Sequence, residues 1–224
     1  MQKLLFCALF ACSFNAAAQR PIEIPKGYQI ISERYQVPVN ILFGVALNES
    51  MTPTTGNRIF PWPWSANVEG KSYRFNTREE LYQFAKELIA TGTTSIDLCA
   101  SQINWKWNGH RFKSLADAID PATCLETSAV ILKSLYQNTN DWVEAAGLYH
   151  NPSDSKKAAA YKARLRHKLD LISGKKPFTF PKANRAYSSK QVTFATSATT
   201  TSDKLQPQIH DNEEREKKRI ILIQ

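Results

Sequence analysis

Glu49 closes the run Phe43-Gly44-Val45-Ala46-Leu47-Asn48-Glu49-Ser50, and the turn before it offers almost no polar surface. A carboxyl group partly withdrawn from water keeps its proton to higher pH, because burial disfavours the charged form. A general acid working near neutral pH needs that property. The residue types also leave a plainer reading open: a glutamate that ends a helix and faces solvent, the commoner fate of this side chain.

A second group interleaves amides with indoles: Ser101-Gln102-Ile103-Asn104-Trp105-Lys106-Trp107-Asn108-Gly109-His110. Uncharged sugars are held by amide hydrogen bonds at the ring edge and by aromatic faces against the C–H surface. Gln102, Asn104 and Trp105 supply both. Equally, the tryptophans can belong to the core and the amides can cap turns. The third group is Ala145-Ala146-Gly147-Leu148-Tyr149-His150, in which Tyr149 offers a phenol to a carboxyl or acetamido group, or simply packs. His110, His150, His167 and His210 lack ligand spacing, and no phosphate-binding glycine loop is present, so neither metal nor cofactor is expected.

These groups need a helical scaffold, and the spacing of apolar residues predicts one over 19–174. Helical periodicity begins near Ile30. Pro38 suits a first helical position, and Ile41, Leu42, Val45 and Ala46 form a stripe leading to Glu49. Residues 51–66, rich in proline, are expected to form a loop. Residues 67–75 predict a small hairpin turning at Glu69-Gly70. Thr77 and Glu80 form a capping box before Leu81, Phe84, Ala85 and Leu88. Asp120-Pro121 opens a helix with Leu125, Ala129, Leu132 and Leu135 on its core face, Asp141 caps a short helix, and a last one runs from Ser155 to Ile172. That last helix is basic on its outside.

The ends differ from this middle. Lys3, the apolar run Leu4–Phe14 and Ala16-Ala17-Ala18 predict a cleavable signal peptide over residues 1–18, hence export, which in a Gram-negative cell means the periplasm. Leu9-Phe10-Ala11-Cys12 is a looser match to lipoprotein processing at Cys12. Residues 175–224 read as a basic, low-complexity, disordered tail whose end, Ile220-Ile221-Leu222-Ile223, suits contact with a partner or membrane surface, or simply frays. The net charge of +9 is concentrated in that tail rather than along an aromatic platform, which argues against nucleic acid as a partner. Cys99 and Cys124 remain after removal of the leader. An oxidising compartment favours one disulfide between them, with two buried thiols as the alternative.

In order and spacing, Glu49-Ser50, then Ala100-Ser101-Gln102-Ile103-Asn104, then Tyr149-His150 resemble the lytic transglycosylase SLT domain of the lysozyme-like superfamily. The resemblance covers roughly residues 37–165, and the extended match is similar to transglycosylases of conjugative elements and type IV secretion systems. It implies a mainly α, α+β lysozyme-like fold with a small hairpin. It also implies cleavage of the β-1,4 bond between N-acetylmuramic acid and N-acetylglucosamine in peptidoglycan, with a 1,6-anhydro product. Glu49 becomes the catalytic acid, Ser50 its orienting residue, Gln102, Asn104 and Trp105 the glycan contacts, and Tyr149 with His150 the binders of a carboxyl or acetamido group. Cys99 stands where the family commonly has glycine and Cys124 where it commonly has asparagine, which strengthens the expectation of a Cys99–Cys124 bridge. His150 replaces the usual asparagine, and Ser101 the usual methionine. A lysozyme-type hydrolase and a non-catalytic wall-binding scaffold protein are the rival readings, and Asp97 and Asp120 are the acids that folding could bring to Glu49.

Overall fold

Every residue from Ile41 to Leu47 is buried, so the expected one-sided stripe is in fact a helix enclosed on all sides. This helix, α2 (Val39–Ser50), follows α1 (Lys26–Tyr35) and forms the axis of the molecule in a computed structural model that describes residues 21–54 and 58–176. The expected signal peptide and the tail beyond residue 176 lie outside the described residues. Within them, no helix is long and apolar enough to cross a membrane.

Residues 51–66 correct the expectation of a loop. Met51–Thr54 (β1) and Arg58–Pro61 (β2) pair antiparallel, with Met51 opposite Pro61 and Pro53 opposite Ile59. Proline is tolerated because each strand of a two-stranded ribbon has only one neighbour, and its missing N–H can face away from the ladder. The hairpin of β3 (Ser65–Val68) and β4 (Lys71–Arg74) forms where the sequence predicts it. Its turn residues Glu69 and Gly70 both have positive φ, 52° and 78°, as a mirror-image tight turn requires. Two strands that periodicity does not reveal, β5 (Ile96–Leu98) and β6 (Ile103–Asn104), extend it to a four-stranded antiparallel sheet in the order β4-β3-β5-β6.

Three helices start at the predicted caps, Thr77, Asp120 and Asp141, whereas the first begins at Lys26, ahead of Ile30, and Pro38 is the N-cap of its helix rather than its first residue. Thr77 Oγ1 accepts from Glu80 N ahead of α3 (Arg78–Ala90), while the Glu80 carboxylate accepts from Asn76 N. Short helices α4 (Trp105–Asn108) and α5 (Leu115–Ala118) cross the chain to α6 (Pro121–Thr139), which Asp120 caps by accepting from Thr123 N. Asp141 caps α7 (Trp142–His150) and Asp154 caps α8 (Ser155–Ile172). The fold is thus mainly helical with a small antiparallel sheet.

Two cores result. One gathers Leu42, Phe43, Leu47, Leu132, Tyr161 and Leu165 from α2, α6 and α8. The other packs Leu81, Phe84, Ile96, Leu98 and Ile119 between the sheet, α3 and the segment before α6. A small third cluster around the Cys99–Cys124 disulfide joins the strand side to α6. Cys99 sits at φ 64°, the left-handed region that suits glycine. α2 and α8 approach closely at Gly44, where an added Cβ would lie 3.1 Å from both Leu165 Cδ1 and Leu169 Cδ2.

Candidate active site

Glu49 occupies the last turn of α2, where that helix leaves the first core. Its side chain keeps 14% of its surface exposed, a narrow window to solvent in otherwise dense surroundings. Burial is the main reason its carboxyl is pushed up to about 8, and the nearby charge of Asp97 adds to the rise. Tyr161 and Arg164 of α8 act in the opposite sense, but more weakly. At neutral pH, Glu49 therefore carries its proton.

His150, at the end of α7, places Nδ1 3.9 Å from Glu49 Oε1. Burial, then the charges of Arg164 and Lys157, lower the imidazole pKa. Around pH 7 the pair is a neutral acid beside a neutral ring, not an ion pair, and the separation is too long for a hydrogen bond. The imidazole stacks on the Tyr161 ring, with centroids 4.5 Å apart and planes 13° from parallel. The Tyr161 hydroxyl is shielded from solvent close to Asn48 and Glu49, yet it closes no well-formed hydrogen bond, and nor does the Asn48 amide nitrogen. Buried polar groups left this way cost stability and are kept where a site needs them. Outside this cluster lies a cleft of about 550 Å³, lined by Asn48, Glu49 and Met51 with Arg74, Arg164 and Lys168.

The other residues singled out by the sequence make contacts within the fold. Ser50 does not touch the Glu49 carboxyl: its hydroxyl lies 2.7 Å from Ala100 O and accepts from Trp62 N at 3.1 Å. It pins the end of α2 to the loop after β5 and so places Glu49 through the backbone. Gln102 Nε2 donates to Cys99 O at 2.7 Å and Ser65 Oγ at 3.2 Å. Asn104 Nδ2 donates to Asp97 Oδ1 at 2.8 Å. Trp105 is half-buried on the second core beside Phe112, with Gly109 packed beneath its indole. None of the three is among the residues lining this cleft, and the Asn104 side-chain oxygen is buried without a hydrogen-bond partner.

Tyr149 has a structural partner as well. Its hydroxyl donates to Ser101 O at 2.8 Å, tying α7 to the same loop. Burial, with the charges of Glu49 and Asp97 adding to it, raises the pKa of this phenol, so the hydroxyl remains a donor at physiological pH. Tyr149→Phe strands that carbonyl and is expected to cost about 1–3 kcal/mol, read as a lower midpoint in urea unfolding. An unchanged midpoint would mean that water satisfies the carbonyl instead.

The sequence reading missed Asn48, Tyr161, Arg164 and Lys168. One signal was present: Arg164 and Lys168 are four residues apart on the basic side of α8, which places them on one helix face. Of the two candidate acids, Asp97 is the one within electrostatic reach of Glu49; burial raises its pKa, opposed by the Asn104 hydrogen bond. Asp120 is occupied with capping α6. Among the described residues no three His, Cys, Asp or Glu side chains gather as a metal site.

The fold and the cleft together define a mainly helical protein that presents one proton-retaining carboxyl group to a basic groove. No family model, no curated protein and no solved structure matches the chain.

Proposed function

We propose that this chain is a peptidoglycan lytic transglycosylase acting in the periplasm, where it opens the wall locally for a conjugation or secretion apparatus. One observation carries the reading beyond the sequence resemblance: the Glu49 carboxyl, nearly buried at the edge of a cleft, holds its proton to about pH 8. The protonated acid donates to the leaving glycosidic oxygen as the C1–O bond of the muramoyl residue breaks. The acetamido group of the same sugar stabilises the developing positive charge, so a second enzyme carboxylate is unnecessary, one of the exceptions to the two-carboxylate scheme. The C6 hydroxyl then attacks C1, closing the 1,6-anhydro ring, and its proton returns to Glu49.

Hydrolysis by water is the second reading, and Asp97 favours it. A second acid within electrostatic reach of Glu49 is what a retaining or inverting hydrolase would use. Digestion of purified wall by the full chain, with products weighed by mass spectrometry, separates the two. Anhydro-muropeptides, lighter by one water than the hydrolysis products, are expected, and Asp97→Asn is expected to retain most of the activity. Products containing the added water, or loss of cleavage in Asp97→Asn together with an unchanged fold, would establish the hydrolase. No cleavage at all would leave the wall-binding scaffold.

A further inference from the structure

The cleft beside Glu49 is lined by more cations than carboxyl groups. Arg164 and Lys168 sit one turn apart on α8, and Arg74 of β4 and His167 share the lining. Glu49 is the only carboxyl group in that lining. Neither Arg164 nor Lys168 forms an ion pair with a carboxylate among the described residues. Lys168 is half-buried, and its Nζ rests 3.2 Å from the Met51 thioether sulfur, a weak acceptor. Arg164 lies over the Tyr161 ring, 5.7 Å from its centroid. Two other α8 cations are paired, Lys162 with Glu144 and Lys157 with Asp154, while Lys156 and Arg166 are exposed to solvent.

A partly desolvated ammonium without a carboxylate is costly, and the cost is recovered when an anion arrives. Burial and the neighbouring Arg164 already hold the Lys168 amine below the usual lysine range. Mutually repelling cations around one groove are the arrangement expected of a site completed by its ligand.

We propose that Arg164 and Lys168 form a carboxylate-binding subsite that holds the acid group hanging from the muramoyl residue being cut. This rests on the reading of the chain as a wall-cleaving enzyme and adds what it selects for. The carboxylate comes either from the acidic peptide stem or from the lactyl group that links stem to sugar. In both cases it seats the muramoyl unit beside Glu49, and it discriminates against glycans that lack such an acid, such as chitin.

The test uses the full chain on three substrates: peptide-bearing strands, the same strands with their carboxylates methyl-esterified, and amidase-stripped strands that keep only the lactyl acid. Esterification is expected to raise KM about tenfold, and Lys168→Met to raise it similarly on the free-acid strands. Lys156→Met, which removes an equal charge from an exposed position of α8, is the control for nonspecific attraction. Loss of affinity on stripping assigns the stem as the source, and retained affinity assigns the lactyl group. Equal KM for free and esterified strands, or equal effects of Lys168→Met and Lys156→Met, overturns the subsite. Strand binding by the Glu49→Gln chain is titrated in parallel with the same substrates. Charge-dependent binding without any cleavage by the parent chain would refute the enzymatic reading and leave the subsite standing, whereas cleavage without charge dependence would do the reverse.

Discussion

Glu49→Gln is expected to reduce wall cleavage by at least about a thousandfold, in the upper part of the range for loss of a general acid, while making the fold more stable at neutral pH. The two effects share one cause. The folded protein holds the Glu49 proton to about 8, whereas an exposed glutamate releases it near 4.5. Between those values the unfolded chain is ionised and the folded one is not, so stability falls as pH rises from about 4.5 to 8. Below that window the contribution is fully present, and above it the loss is complete. The penalty relative to a neutral amide is roughly 3 kcal/mol at pH 7 and under about 1 kcal/mol at pH 5. Thermal unfolding of parent and variant across this range gives the measurement: the variant's advantage should grow from pH 5 to pH 8. A constant difference would show that the carboxyl ionises freely and would remove the physical basis for its role as acid. Retained cleavage in the variant would remove it from the reaction directly.

Breaking the Cys99–Cys124 bridge is the second large effect. The cysteines are 25 residues apart in sequence, and a loop of that size constrains the unfolded chain by about 3 kcal/mol on the entropic account. A Cys99→Ala/Cys124→Ala variant is expected to unfold about 10 °C below the parent. Because Cys99 adopts φ 64°, Cys99→Gly/Cys124→Ala should recover about 1 kcal/mol of that loss, since glycine reaches this backbone conformation without the Cβ clash. The bridge also packs against Ile103 and Tyr149, beside the loop that Ser50 and Tyr149 hold, so the variant should lose activity at temperatures below its unfolding midpoint. Coincident loss of activity and fold would show that the bridge supports global stability alone.

Local chemistry was readable along the chain where it depends on neighbours in sequence. The caps at Thr77, Asp120 and Asp141, the turn at Glu69-Gly70 and the helices that follow them come from short-range hydrogen bonds and backbone preference, and these act without knowledge of the remaining fold. The apolar density before Glu49 likewise signalled a carboxyl in a dry place. The ribbon at residues 51–61 was hidden because proline and glycine suggest a loop equally well, and strands as short as β5 and β6 have no period to detect.

Which side chains face the cleft was decided by tertiary structure. Gln102 and Asn104 have the chemistry of sugar contacts, yet Cys99, Ser65 and Asp97, brought close by sheet pairing, take up their donors. Tyr161 and Lys168, more than a hundred residues after Glu49, reach it because α8 packs against α2 at Gly44. Residue types along the chain determined that a glutamate closing an apolar run, capped helices and two cysteines 25 residues apart were present. Desolvation and pairing depend on distances across the fold, so only the packed chain could determine that the acid keeps its proton and that Arg164 and Lys168 beside it pair with no carboxylate among the described residues.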